Sequence, residues 1–312
     1  MRKLMPSPSA KDSKRSNYQK PWIHRINPRL GLISIMLICI LLIGVMVLAT
    51  TSACTINSAV TTHDDNFTVG ESAILIVKTL DGWIHVEAGA DNQVHVETKL
   101  RDSHKLKYEA YQNGDVVTVN VERTGSWWFP RGFSAKADVY VTAPAGMALR
   151  LETSNGDIEI TGMNNGGSLN TSNGKILLDS IKGDFDGRSS NGAIEVNTME
   201  GSGLFRTSNG KVELRDVKGS FEASTSNGGI SFSGEMIPSG NNRLTTSNGD
   251  VNVELKGMPS INLDASTSNG EVIHDDVPIL TTKTDTDHVI GTIGAGEADL
   301  YVETSNGNVI IK

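Results

Sequence analysis

The chain has 312 residues, a net charge of −8, 21% charged and only 5% aromatic residues, and 32 glycines. That mixture suits many short strands joined by tight turns and excludes a helical bundle. The two cysteines, Cys39 and Cys54, both precede residue 55, which excludes disulfides, thiolate metal sites and thiol nucleophiles from everything after them.

Charge divides sharply at the N-terminus. Residues 1–29 carry eight Lys/Arg against the single Asp12, a surplus of +7 that leaves −15 on the remainder. Residues 30–49 then run twenty positions without a charge. A helix of that length, at about 1.5 Å per residue, just crosses a hydrocarbon core of about 30 Å. The basic flank places the N-terminus in the cytoplasm and the acidic remainder outside, and that acidity excludes a nucleic-acid partner. The segment closes in Thr51-Ser52-Ala53-Cys54. This resembles a bacterial lipoprotein cleavage site with Cys54 lipidated, whereas Thr51 in place of the usual Leu and the long basic leader fit an uncleaved signal anchor. Both readings make residues 30–54 the anchor and put the protein at the cell membrane with its C-terminal domain extracellular. Residues 55–68, TINSAVTTHDDNFT, read as a polar linker.

Residues 69–312 read as one all-β domain, a cap over 69–148 and repeats over 149–312. In the first part, Asp81-Gly82 is preceded by Leu75, Val77 and Thr79 and followed by Ile84 and Val86, the flanks of an outlying coil. Four alternating runs (VHVETKL, LKYEAY, VVTVNV, ADVYVT) follow without the repeat motif and are expected to cover the exposed end of the repeats. Among them, GSWWFPRGF (125–133) concentrates aromatic residues. Aromatic faces stack on sugars, and Trp partitions to lipid headgroups, so Trp127, Trp128, Phe129 and Arg131 are the candidate ligand-binding residues. The competing reading folds this stretch back as a structural seal.

Over 149–312, Ser-Asn-Gly occurs eight times, at Asn155, Asn173, Asn191, Asn209, Asn227, Asn248, Asn269 and Asn306, with four intervals of 18, two of 21 and a last one of 37. The 37-residue gap is expected to hold two coils, one having lost its motif near Asp287. Three and five positions after each asparagine stand apolar residues such as Ile176/Leu178 and Ile194/Val196, with polar residues between them. This is the period-two pattern of a strand with one buried face. Six and four positions before it, Gly167/Leu169, Phe185/Gly187, Gly203/Phe205 and Phe221/Ala223 alternate bulky and tiny, as a narrow core of constant volume requires. By the same parity the Thr or Ser two before each asparagine, and the asparagine itself, are expected to point inward, the asparagines stacking as a buried hydrogen-bonded ladder. The following glycine is expected to supply a positive φ.

Two folds compete. Asn-Gly also suits hairpin turns of an antiparallel meander, but some sixteen strands with one apolar face uncovered exceed the usual limit of about ten. The expected fold is a single right-handed β-solenoid of about 18-residue coils, preceded by one transmembrane helix. The Ser-Asn-Gly-x-Ile/Val-x-Ile/Val repeats, the Asp-Gly-Trp-Ile start and the closing GTIGAGEADLYVETSNGNVIIK resemble the bacterial "putative adhesin" strand-repeat family of unknown function, over roughly residues 70–312. The resemblance implies a β-solenoid on a cell surface and supplies no catalytic residues.

The outward positions two after each asparagine (Asp157, Lys175, Ala193, Lys211, Gly229, Asp250, Glu271, Asn308) mix charges and small residues. They form no acidic stripe of the kind a polysaccharide-cleaving site needs. His274, Asp275, Asp276, Asp285, Asp287 and His288 make the densest cluster of metal-capable side chains, without a ligand-spacing motif. The expectation is therefore a non-enzymatic surface module without metal or cofactor. Its partner would be an envelope glycan, a protein or another cell. The alternative is a structural or envelope-stress regulatory ectodomain acting through a membrane partner.

Overall fold

The computed structural model describes residues 60–90, 92–124, 135–274 and 277–312. The calls on residues 1–54, on Trp127, Trp128, Phe129 and Arg131, and on Asp275 and Asp276 lie outside the described residues. Ser58–Lys312 forms one compact unit.

Hydrogen-bonded ladders between successive repeats are parallel and in register, with Ile158 beside Ile176, Ile176 beside Ile194 and Ile194 beside Val212. An antiparallel meander would pair these strands head to tail, so the repeats build a solenoid of stacked coils. The outlying coil takes its expected place, Leu75 beside Leu149 and Ile84 beside Ile158.

The inward rows are fully buried at the expected positions, from Ile158, Ile160 and Leu169 to Val309 and Ile311. A further buried row, Met163, Ile181, Met199 and Val217, stands eight positions after the asparagine and breaks the alternation. One residue earlier, Gly162, Ser180, Thr198 and Asp216 adopt φ of 76°, 54°, 57° and 51°. A left-handed residue turns the strand at that corner and moves the next side chain to the inner face, as a bulge does. The alternation of bulk also holds. A Cβ on Gly203 would run into the rings of Phe205 and Phe221, and one on Gly187 would crowd Phe205.

At the N-terminal end, Val116–Arg123 and Lys136–Pro144 stack on Ile74–Lys78 and Ile84–Gly89 as a further parallel layer. Antiparallel strands then close the end: Leu106–Asn113 on Val116–Arg123, and Gln93–Arg101 on Lys136–Pro144. The linker reading fails from residue 60 onward. Val60–Thr68 is a strand, antiparallel to Gln93–Arg101. Its polar composition hid it, because no side chain of this edge strand is fully buried. It is held by backbone pairing, by Phe67 packed on the core and by the Tyr108 hydroxyl donating to Asp65 at 2.5 Å.

The C-terminal end departs furthest from expectation. The 37-residue gap does not hold two coils. After Val272–Ile273 the chain forms an antiparallel pair, Leu280–Thr284 with His288–Ile293, and the latter pairs antiparallel with Ile261–Asn269. The final segment, Ala298–Asn306 and Val309–Ile311, then inserts between the Asn248 coil and the Asn269 coil, parallel to both. The spatial order of the last three coils is thus Asn248, Asn306, Asn269. Insertion pairs both edges of the last coil and leaves the outer edge to an antiparallel strand, which solves the open-edge problem of a solenoid end. It also explains His274: Val272–Ile273 is cut short as the chain leaves the wall, so that apolar position is vacated.

Candidate functional site: the Ser-Asn-Gly edge

The four residues of each corner do four different things. The glycines lie so close along the stack that a Cβ on Gly174, Gly192 or Gly210 would collide with the carbonyl oxygen of Gly156, Gly174 or Gly192. A left-handed φ, expected for all of them, occurs at Gly82, Gly249 and Gly307. For the regular coils the requirement is steric room against the neighbouring coil.

The Thr/Ser hydroxyl two before the asparagine is buried, as expected. Thr207 Oγ1 donates to the Gly192 carbonyl of the coil below at 2.9 Å and accepts from Gly210 N at 3.3 Å; Ser189 repeats this with Gly174 and Gly192 at 3.0 and 2.9 Å. Thr79 is the first of this column among the described residues, and its buried Oγ1 lacks a partner among them. One column therefore predicts opposite outcomes. Thr207→Val strands a buried carbonyl and N–H and should cost about 1–3 kcal/mol, whereas Thr79→Val removes an unpaired hydroxyl and should stabilise by about 1 kcal/mol. Urea melts of both variants check the sign.

The asparagines form the expected ladder, but on the surface. Asn173 Nδ2 donates to Asn155 Oδ1 at 2.6 Å, and the relay continues through Asn191, Asn209 and Asn227 at 2.7, 2.7 and 2.9 Å. It passes through Asn248 and Asn306 to Asn269 at 3.0 Å each, and begins at Asp81, which accepts from Asn155. All eight asparagines are exposed. The inward placement is thus corrected: the bend at the corner swings the asparagine out of the parity that its strand predicts. Water competes for exposed amides, so Asn209→Ala should cost only about 0.5 kcal/mol. A loss above about 1.5 kcal/mol in the same melts would contradict the exposed placement.

The serine before each asparagine has no such explanation. Ser172, Ser190, Ser208, Ser226, Ser247, Ser268 and Ser305 are exposed and Ser154 is half-buried. Their backbone groups bond the neighbouring coils, but their hydroxyls bond no other described residue. Eight coils keep the same residue, exposed in seven of them, and neither packing nor internal hydrogen bonding among the described residues requires its hydroxyl. With the ladder beside it, this row makes a straight edge of hydroxyls and amides repeating at about 4.8 Å.

Beside this edge, charges neutralise one another. Glu195 receives Lys175 at 2.5 Å and Lys211 at 3.4 Å, Lys211 also meets Glu213 at 2.7 Å, and Glu213 pairs with Arg215. The Lys211 ammonium is held above its ordinary pKa, chiefly by its hydrogen bond to Glu213, against a smaller effect of burial. His288 is engaged by Asp264 at 2.8 Å and by Lys283 at 2.7 Å. No group of three metal-capable side chains converges among the described residues.

At its N-terminal end the edge changes character. Leu80 takes the serine's place: its carbonyl accepts from Ser154 N and Asn155 N at 3.1 and 3.0 Å, as Ser154 O does for the next coil. Trp83, between Asp138 and Asp157 on the neighbouring strands, takes the outward position two beyond the corner. Both are exposed, Trp83 by 54% and Leu80 by 38%. In the sequence this stretch served to set register and to carry the family resemblance, and Trp83 was not singled out as a binding residue. An aromatic among Asp157, Lys175 and Lys211 in the outward row was the available signal. Arg123 pairs with Asp81 and Ala137 N donates to the Asp81 carbonyl, so the described residues flanking the aromatic stretch also meet this corner.

The geometry defines a class: a coiled parallel β-repeat protein whose distinctive surface is a polar, repeating edge. The chain belongs to the Toastrack DUF4097 family, whose profile matches residues 74–312. No curated protein matches it. It is similar to solved structures of a "putative adhesin" from Bacteroides fragilis (13% identity, 81% of this chain and 97% of that one, TM-score 0.41) and of a "putative cell adhesion protein" from Clostridium sporogenes (11%, 81% and 99%, 0.31). A "putative adhesin" from Parabacteroides merdae is similar too (12%, 82% and 97%, 0.33).

Proposed function

We propose that this protein is a non-enzymatic binding module held at the outer face of a cell membrane, engaging an extended partner along its Ser-Asn-Gly edge. Residues 30–49 serve as the spanning helix and the coils run right-handed. The observation that carries the reading is the row of serines repeated in every motif coil, exposed in all but the first, with hydroxyls that bond no other described residue. A stiff stack of coils presents such a row without the induced fit and closing motion of a catalytic cleft, and many weak contacts repeated along one line add up by avidity.

The test is retention of the ectodomain, residues 59–312, on envelope fractions. Wild type is compared with a Ser172→Ala/Ser190→Ala/Ser208→Ala variant and with Trp127→Ala/Trp128→Ala. Loss in the serine variant with an unchanged circular dichroism spectrum supports the edge. Equal retention of wild type and serine variant overturns it, and loss confined to the tryptophan variant moves the site to the 125–133 stretch.

A further inference from the structure

The exposed apolar pair at the end of the edge makes the kind of ligand more specific, on the basis of the binding-module reading above. At these two positions eight coils offer a serine hydroxyl and a charged, amide or small residue, and the ninth offers Leu80 and Trp83. A ligand matched to both parts needs rows of hydroxyls along its sides and a flat apolar face at intervals. A pyranose chain has both: hydroxyls at the ring edges and C–H groups on the ring faces, which pack on an indole.

Charge narrows the class. Trp83 N donates to Asp138 Oδ1 at 3.0 Å, and Asp157 Oδ1 accepts from Lys175 N at 2.7 Å. Neither carboxylate forms an ion pair among the described residues: Lys99, opposite Asp138, turns its ammonium to Glu97 and the Tyr140 ring, and Lys175, whose backbone N–H donates to Asp157, turns its ammonium to Glu195, so the tryptophan lies between two carboxylates. They repel a carboxylate or phosphate on the ligand and favour an amine, which the indole face itself attracts.

We propose that Trp83, with Leu80 beside it, is the stacking subsite at which the Ser-Asn-Gly edge takes the end of a neutral or amine-bearing pyranose chain. The leucine keeps the serine's backbone role while giving up its hydroxyl, which leaves an exposed apolar side chain three residues before the indole.

The probes are hexamers of glucose, glucosamine and galacturonic acid, titrated calorimetrically into the ectodomain. Glucose or glucosamine hexamer should bind and galacturonate should bind more weakly. Trp83→Ala should weaken binding about tenfold, as truncation of an aromatic anchor does, and Trp83→Phe should keep most of it. Circular dichroism should be unchanged in both. Wild-type affinity in Trp83→Ala together with loss in the triple serine variant overturns the subsite and leaves the edge standing. Preference for galacturonate overturns the charge argument. If no hexamer binds while envelope retention stays serine-dependent, the sugar class falls and the binding module survives. If neither substitution changes binding or retention, both proposals fall.

Discussion

Removing residues 298–312 is expected to disorganise far more of the protein than the fifteen residues removed. In a solenoid stacked in chain order, such a deletion trims one terminal repeat, and nearest-neighbour coupling limits the damage. Here the deleted segment is an interior coil. It supplies the buried side chains Leu300, Val302, Val309 and Ile311, each contributing about 1.5–3 kcal/mol on burial. Among the described residues it is also the only coil paired to both Asn241–Asn248 and Ile261–Asn269. Without it the Asn269 coil and its antiparallel pair lose their attachment to the stack. The expected result is rapid proteolysis after residue 256, with the coils before it still protected and the melting transition lowered and broadened. A truncated protein that melts as sharply as wild type, with residues 261–293 protected, would show that the Asn248 and Asn269 coils had stacked directly on each other. The identical corner motif makes that register the obvious competitor.

Ile194→Asp should abolish folding of the repeat region. Ile194 has no exposed surface and stands between Ile176 and Val212 in one column. An aspartate there has two choices: to ionise in an apolar core without a cation, or to take up a proton at a cost that grows with pH. Either penalty, added to the lost aliphatic burial, approaches the 5–15 kcal/mol that stabilises a typical domain. Burial raises a carboxyl pKa, so whatever stability survives should be greatest at acid pH and lost as pH rises through the raised value. A soluble variant with a native circular dichroism spectrum at pH 7 would contradict the inward assignment of the row. Ile194→Val should be tolerated, at about 0.5–1.5 kcal/mol.

The contrast between Thr207, Asn209 and Ser208 shows how three adjacent polar residues acquire separate duties. The threonine closes hydrogen bonds that the core would otherwise leave open, and the asparagine tidies the surface of the bend. The serine serves neither purpose. The functional reading rests on that remainder, since an exposed residue repeated without internal need is best explained by something outside the chain.

Much of this protein was legible from residue order alone. Period-two alternation identified the wall residues, such as Ile176 and Leu178, because a strand with one wet face permits little else. The bulky-tiny exchange between Phe185/Gly187 and Gly203/Phe205 was legible because packing at constant volume couples neighbouring coils. What tertiary structure decided lies where those local rules are degenerate or broken. Parity fails at bends, so the outward turn of the asparagines and the buried row from Met163 to Val217 depend on corner geometry. Val60–Thr68 has no buried side chain to betray it, and it became a strand through an edge offered by Gln93–Arg101. Every motif coil carries the same corner, so the corner by itself does not say which coil docks on which. The order of the last three coils was therefore set by edge protection at the C-terminal end, a property of the assembled stack that no single repeat encodes.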